Sequence, residues 1–281
     1  MKKVVLFSLI AILLLLAGGF LYLRGQLQDD SVPLTDGFTG EKVMFIFPHP
    51  DDEITCAGTL KLLNKQGIET SLITFTHGEA GNSNGTVNET DPIKKKIALA
   101  DIREKELRAV GELLGVAHQE ILNYPDGGIK DIPADSLKKI IRQKIALYQP
   151  TVLITYDDVI GLYGHPDHRL MAQYTKEVFL ADKGTNGFSP TRLYQVTLPA
   201  PMIATAKKIS ASFKKNFSKN NTLPTPAMAV RISTAGEFKK QAMLLHASQR
   251  PTFNDMQPYF DKVPAWLYYR IFDKEYYAEV K

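Results

Sequence analysis

Blocks of apolar residues, punctuated by glycine, proline and short acidic or histidine-bearing turns, run along this chain, and their period sorts them into strands and helices. Val43-Met44-Phe45-Ile46-Phe47 predicts a buried strand. Pro48 and Pro50, on either side of His49, stop it and force an extended turn. Residues 57–66 predict a short helix ended by Gly67, and 70–75 a second strand, so strand, helix and strand form a parallel unit with a right-handed crossover. Asp91 as N-cap and Pro92 at the first position open a helix reaching about Gly115, with Ile97, Ala100, Leu107, Val110 and Leu114 as its buried stripe. Further along, strands are expected at 120–123, 151–156 and 192–198, and helices at 136–148, 166 to about 180, and 234–247. Residues 199–226 read as irregular and Lys-rich, and the aromatic tail beyond Arg250 gives no assignable pattern. The alternation predicts an open, mostly parallel α/β sheet, whose ligand sites lie beyond the carboxyl ends of the strands.

The first block is different in kind. After Met1-Lys2-Lys3, residues 4–23 are essentially all apolar, about the length a helix needs to cross a bilayer. Residues 1–25 are therefore expected to be a signal anchor or, if cleavage occurs near Ala17-Gly18-Gly19, a signal peptide. The apolar run continues past that point, which favours the anchor. Lysines before the run and Asp29 and Asp30 after it put the remainder outside the cytoplasm, membrane-anchored or, after cleavage, secreted. Residues 26–40, with Pro33, Gly37 and Gly40, read as a linker.

Composition narrows the chemistry. Over 281 residues, 44% hydrophobic and 23% charged, one main domain is expected. A net charge of +4 with interspersed signs gives no reason to expect nucleic acid. Cys56 is the only cysteine, so a metal site must use histidine and carboxylate, a donor set that suits zinc or another divalent transition metal.

Two clusters supply such donors, each directly after or near an expected strand end: His49-Pro50-Asp51-Asp52-Glu53 and Gly164-His165-Pro166-Asp167-His168. Either alone is explained by a solvated turn or a helix cap. Together they can furnish three ligands, His49, Asp52 and His168, leaving Asp51 as a spare carboxylate and His165 near charge developing on a carbonyl. Glu53 is expected to start the following helix, where negative charge suits the dipole. The Gly- and Asn-rich stretch 76–91 is long enough to be a binding loop.

The paired clusters resemble the zinc-dependent de-N-acetylase family that includes N-acetylglucosaminyl-phosphatidylinositol deacetylase and the LmbE-like bacterial sugar deacetylases. The resemblance spans roughly residues 42–249. It implies a Rossmann-like sheet with helices on both faces over a catalytic domain at 41–281, one Zn2+ per chain, and hydrolysis of the acetamide on an N-acetylglucosamine-type sugar or glycoconjugate. By resemblance His49, Asp52 and His168 bind the metal and Asp51 is the general base. His165 stabilises the oxyanion, oriented or charged by Asp167, while Arg103, Glu79 and Gln249 contact substrate. His246 reads as packing behind the site. Two alternatives stay open: a glycan-binding module without catalysis, and a hydrolase of another amide or ester.

Overall fold

The computed structural model describes residues 2–35, 38, 42–217 and 222–281, without the side chains of Lys2 and Asn216. In chain order the elements are α1 (Lys2–Leu27), β1 (Leu34–Thr35), β2 (Val43–Phe47), α2 (Ala57–Lys65), β3 (Thr70–Thr76), α3 (Pro92–Leu114), β4 (His118–Tyr124), α4 (Ala134–Tyr148) and β5 (Val152–Thr155). There follow α5 (Gly161–Gly164), α6 (Pro166–Asp182), β6 (Arg192–Thr197), α7 (Ala200–Ile209), α8 (Ala211–Asn216), β7 (Met228–Arg231), α9 (Gly236–Leu245), α10 (Arg250–Met256), α11 (Ala265–Ile271) and β8 (Lys274–Glu279).

The eight strands form one sheet in the order β1-β7-β8-β6-β5-β2-β3-β4. From β6 to β4 every pairing is parallel, whereas β8 runs antiparallel to both β6 and β7. All five β2 residues are buried, and they alternate between two cores. Val43, Phe45 and Phe47 pack with residues of α2, α3 and α9, and Met44 and Ile46 with residues of α4 and α6. A strand covered on both faces must be apolar throughout, which is why the Val43–Phe47 run is unbroken. The chain moves from β2 outward through β3 and β4, then returns to β5 on the other side of β2. That reversal opens a crevice at the carboxyl ends of β2 and β5, where both histidine clusters begin.

Several expectations change. Asp91 does cap α3, accepting from the Ile93 and Lys94 backbone N–H groups. The buried stripe of α3 begins at Leu99, however, and runs through Arg103, Leu107, Val110 and Leu114. Ile97 is 59% exposed, and every residue from 92 to 97 in the first turns of α3 is exposed. Residues expected to be irregular form α7 and α8: Pro201 sits in the first turn of α7, where a missing N–H costs nothing, and the Ser210 hydroxyl accepts from Phe213 N–H to cap α8. The tail folds into α10, α11 and β8. Within the stretch read as a linker, Leu34 and Thr35 pair with Ala229 and Val230 at the sheet edge; residues 36, 37 and 39–41 lie outside the described residues. So do residues 218 and 219 of the Lys-rich stretch.

Among the described residues, α1 is the one helix long and apolar enough to cross a membrane, and its apolar side chains are exposed. Its end docks on the domain. The Arg24 guanidinium donates to Arg270 O at 3.0 Å, the Gln28 amide to Ile271 O at 2.8 Å, and the Thr205 hydroxyl to Gln26 O at 2.9 Å.

Candidate active site

Beyond β2, the prolines turn the chain so that His49 faces inward, and the Asp52 carboxylate folds back to accept the His49 N–H at 2.8 Å. His168 arrives from the first turn of α6, stacked on the Tyr156 ring with centroids 4.2 Å apart. Three donor atoms then converge. His49 Nδ1 lies 3.3 Å from His168 Nε2 and 3.5 Å from Asp52 Oδ2, and His168 Nε2 lies 3.1 Å from Asp52 Oδ1. Ligands about 2.0–2.1 Å from a tetrahedral zinc stand roughly 3.3–3.4 Å apart, so this set fits a zinc-sized ion. His49, His165 and His168 also bring ring nitrogens within 4.8 Å of one another, as do donor atoms of His49, Asp126 and Asp167.

The outer ring nitrogens favour the first set. His168 Nδ1 is 3.1 Å from Gly161 O, and only as a donor can it satisfy that carbonyl, which leaves Nε2 with a lone pair. His49 Nε2 faces Asp126 Oδ1 at 3.0 Å and Asp167 Oδ2 at 3.3 Å, leaving Nδ1 as the lone pair. Burial opposes charge on His49, yet Asp126, Asp167 and Asp52 lift its pKa well above the ordinary value. These carboxylates call for a positive charge, and a bound cation is the other way of supplying it. Burial likewise works to raise the Asp52 pKa, and His168 and His49 hold it well below the usual carboxylate range.

Asp51 stands beside this set and outside it. Its backbone has φ 100°, a strained value for a non-glycine residue, and its carboxylate lies 3.0 Å from Arg103 Nη2. Burial pushes its pKa up to about 6 against the pull of the Arg103 guanidinium. The strained backbone is held from below: Glu53 Oε2 accepts the Asp51 N–H at 3.0 Å, and Glu53 Oε1 lies 2.5 Å from His246 Nε2. Burial lowers the His246 pKa, but Glu53 and Glu106 overcome it and raise the value to about 9. Glu53 lies, as expected, in the first turn of a helix, the 3-10 turn Asp52–Cys56 that leads into α2, and it also braces Asp51, while His246 is packed behind the site.

Other expected residues sit differently. Arg103 is buried, and its guanidinium is engaged by Asp51, Gly78 O and Pro50 O, with Nε left without a partner. Gln249 donates its amide to Asn82 O and Ser248 Oγ, pinning the 76–91 loop. Asp167 does not pair its carboxylate with His165. That carboxylate turns to His49 and to the Gly127 N–H at 2.9 Å, while its backbone N–H donates to His165 Nδ1 at 3.2 Å. Burial, with His168 and His49 close by, lowers the His165 pKa to about 4. His165 is thus neutral near pH 7, with its proton on Nε2. Glu79 Oε1 accepts the Asp126 N–H at 2.9 Å, and its Oε2 is buried without a partner.

Two residues of this network carry no local signal in the sequence. Asp126 arrives on the Pro125-Asp126-Gly127-Gly128 turn after β4, a third carboxylate at a strand end. Tyr156 donates its hydroxyl to Asp52 Oδ1 at 3.0 Å.

Residues 44–179 match the model of the PIG-L family, described as GlcNAc-PI de-N-acetylase. A probable N-acetyl-alpha-D-glucosaminyl L-malate deacetylase 2 of Bacillus anthracis is 30% identical over 45% of this chain and 54% of its own, so the chain spans about half the length of that relative. A 1D-myo-inositol 2-acetamido-2-deoxy-alpha-D-glucopyranoside deacetylase of Nakamurella multipartita is 27% identical over 74% of this chain and 79% of its own. Among solved structures, the N,N'-diacetylchitobiose deacetylase from Pyrococcus horikoshii shares the fold, with a TM-score of 0.59 at 23% identity over 89% and 88% of the two chains. With the fold, the paired histidine clusters and the family model over residues 44–179 in agreement, this chain resembles the PIG-L, or LmbE-like, family of deacetylases.

Proposed function

We propose that the chain is a metal-dependent hydrolase that removes the N-acetyl group from an N-acetylglucosamine-type sugar or glycoconjugate, working outside the cytoplasm at the end of a membrane anchor. The observation that carries this reading is the spare carboxylate: Asp51 lies beside the His49, Asp52 and His168 donors but is not one of them. A purely structural zinc site has no use for such a group.

His49, Asp52 and His168 would hold the ion. Bound there, zinc supplies Lewis acidity toward the acetyl carbonyl and lowers the pKa of water. Asp51, with a pKa near 6, is ionised at neutral pH and accepts the proton of the attacking water. Reprotonated, it delivers that proton to the departing amine. The His165 Nε2–H is a neutral donor for the oxygen that gains charge as the carbonyl becomes tetrahedral. Asp167 and Asp126 orient His49. The unpartnered Glu79 Oε2 offers an acceptor for a sugar hydroxyl, while Arg103 and Gln249 act on Asp51 and on the binding loop. The anchor reading rests on exposed α1, and the lysines before its apolar run favour the inside for that end.

The test is the full chain, purified in detergent with its metal quantified, incubated with N-acetylated mono-, oligo- and lipid-linked sugars while acetate is measured. Acetate release from at least one class is expected. No release from any of them in the zinc-loaded protein would contradict the proposal.

A further inference from the structure

Most of α1 is bare, but its last turns are not. Phe20 is half-buried where Leu21, Tyr22 and Leu23 are exposed, and Arg24, Leu27 and Gln28 are covered in their turn. Positions 20, 24, 27 and 28 share one helix face, and α1 packs on α7 and α11. Polar groups lock the far end of this seam: Arg24 pairs with Asp30 at 2.8 Å and with Asp273 at 3.0 Å, and Gln28 Oε1 accepts the Tyr276 hydroxyl at 2.7 Å. The helix is clamped to the domain, not loosely tethered.

Depth follows from the clamp. With residues 4–23 filling a hydrocarbon core about 30 Å thick, Phe20 lies about 5 Å inside its edge, at ~1.5 Å of rise per residue. A domain surface that covers Phe20 must reach the same level. There α11 exposes Trp266, at 72%, and Leu267, and α7 exposes Ile209. Trp266 and Leu267 stand within one helical turn of Arg270, whose carbonyl accepts from Arg24, and Ile209 stands one turn after Thr205, whose hydroxyl donates to Gln26 O. Charge at this edge is one-sided. The helices α7, α8 and α11 carry Lys207, Lys208, Lys214, Lys215 and Arg270 and no acidic residue. The large cleft that starts at Asp51 and Asp52 ends on the same edge, where its mostly apolar wall includes Leu27, Met202 and Ile209, with Met256 of α10 and Tyr276 of β8.

We infer that the α7–α11 edge is a bilayer-contact surface: Ile209, Trp266 and Leu267 enter the headgroup layer of the leaflet from which α1 emerges, and the lysines of α7 and α8 meet its anionic lipid headgroups. Aromatic and apolar side chains flanked by cations are what that layer favours. The inference rests on the anchor part of the proposed function and is independent of the deacetylase chemistry.

Trp266 is the only tryptophan in the chain, so its fluorescence reports this surface alone. The full chain, with α1 verified by mass, is placed in nanodiscs of mixed zwitterionic and anionic lipid, with and without bromine high on the acyl chains. Trp266 is expected to lose about half or more of its emission to the bromines, which quench on contact, and to be shielded from acrylamide in the water. Moving the reporter to exposed α4 on the other face of the sheet, by Trp266→Phe with Leu147→Trp, should abolish the bromine effect. Lys208→Glu combined with Lys214→Glu and Lys215→Glu should weaken it and restore acrylamide access, with α1 still inserted. Bromine-insensitive Trp266 in disc-bound chains, equal quenching from position 147, or an unchanged signal in the lysine variant would overturn the inference and leave the anchor reading standing. A chain that stays out of the discs would overturn both.

Discussion

On the two sides of the β2–β5 crevice, buried polar groups are handled in opposite ways. Toward β3 and β4 they are aimed at a common point: His49, Asp52 and His168 converge, Asp126 and Asp167 back one imidazole, and Asp51 is strained and left beside them. Toward β8 and β7 they are closed off against one another. Glu275 accepts from the Gly58 and Thr59 N–H groups, the Thr59 hydroxyl and Lys239, and Lys274 meets Asp30, so what stays open there is the apolar wall. The family model stops at residue 179, before the α7, α10 and β8 residues of that wall. Both histidine clusters thus lie within the stretch that the family model matches, and the α7, α10 and β8 residues of the wall lie beyond it.

The comparison can be broken most severely by removing a donor. His168→Ala is expected to abolish stoichiometric zinc and to lower turnover by more than about a thousandfold; metal analysis that finds one zinc still bound would remove His168 from the set. Loss of the ion pair beneath the base comes next. Arg103→Ala leaves the Asp51 carboxylate buried without its cation and should cost about 3–5 kcal/mol of stability, read by chemical denaturation. Asp126→Asn, which weakens the backing of His49, is expected to reduce zinc affinity about 10–100-fold while leaving the fold intact. The smallest effect is on pH dependence. The Asp51 carboxylate must be ionised to act as base, so activity falls as pH drops through its pKa. Its value near 6 comes before any bound cation pulls it lower, so the acidic limb of kcat/KM should lie at or below about pH 6. A limb near pH 8 would assign the proton transfer to another group.

The parts of this arrangement that were legible in the sequence are the local ones. Pro48 and Pro50 around His49, and His165 three residues before His168, carry their geometry in their spacing, and the apolar run of β2 declares a buried strand. What stayed hidden depends on partners far along the chain. Arg103 looks like a solvent or substrate residue on a helix until Asp51 and Gly78 O are brought to it. Asp126 looks like a turn until β4 lies beside β3. In β8, nothing local announces the pairing of Lys274 and Glu275 with Asp30 and Lys239, so an interior antiparallel strand gives no assignable pattern in the sequence.

The central claim is that metal holding and proton transfer are divided between neighbouring aspartates, and Asp51→Asn tests it most directly. Zinc content and acetate release are measured on the same preparation. Full zinc with turnover reduced about 10²–10⁴-fold is the expected result, since a positioned general base contributes that much. Near-wild-type turnover with zinc bound would contradict the division.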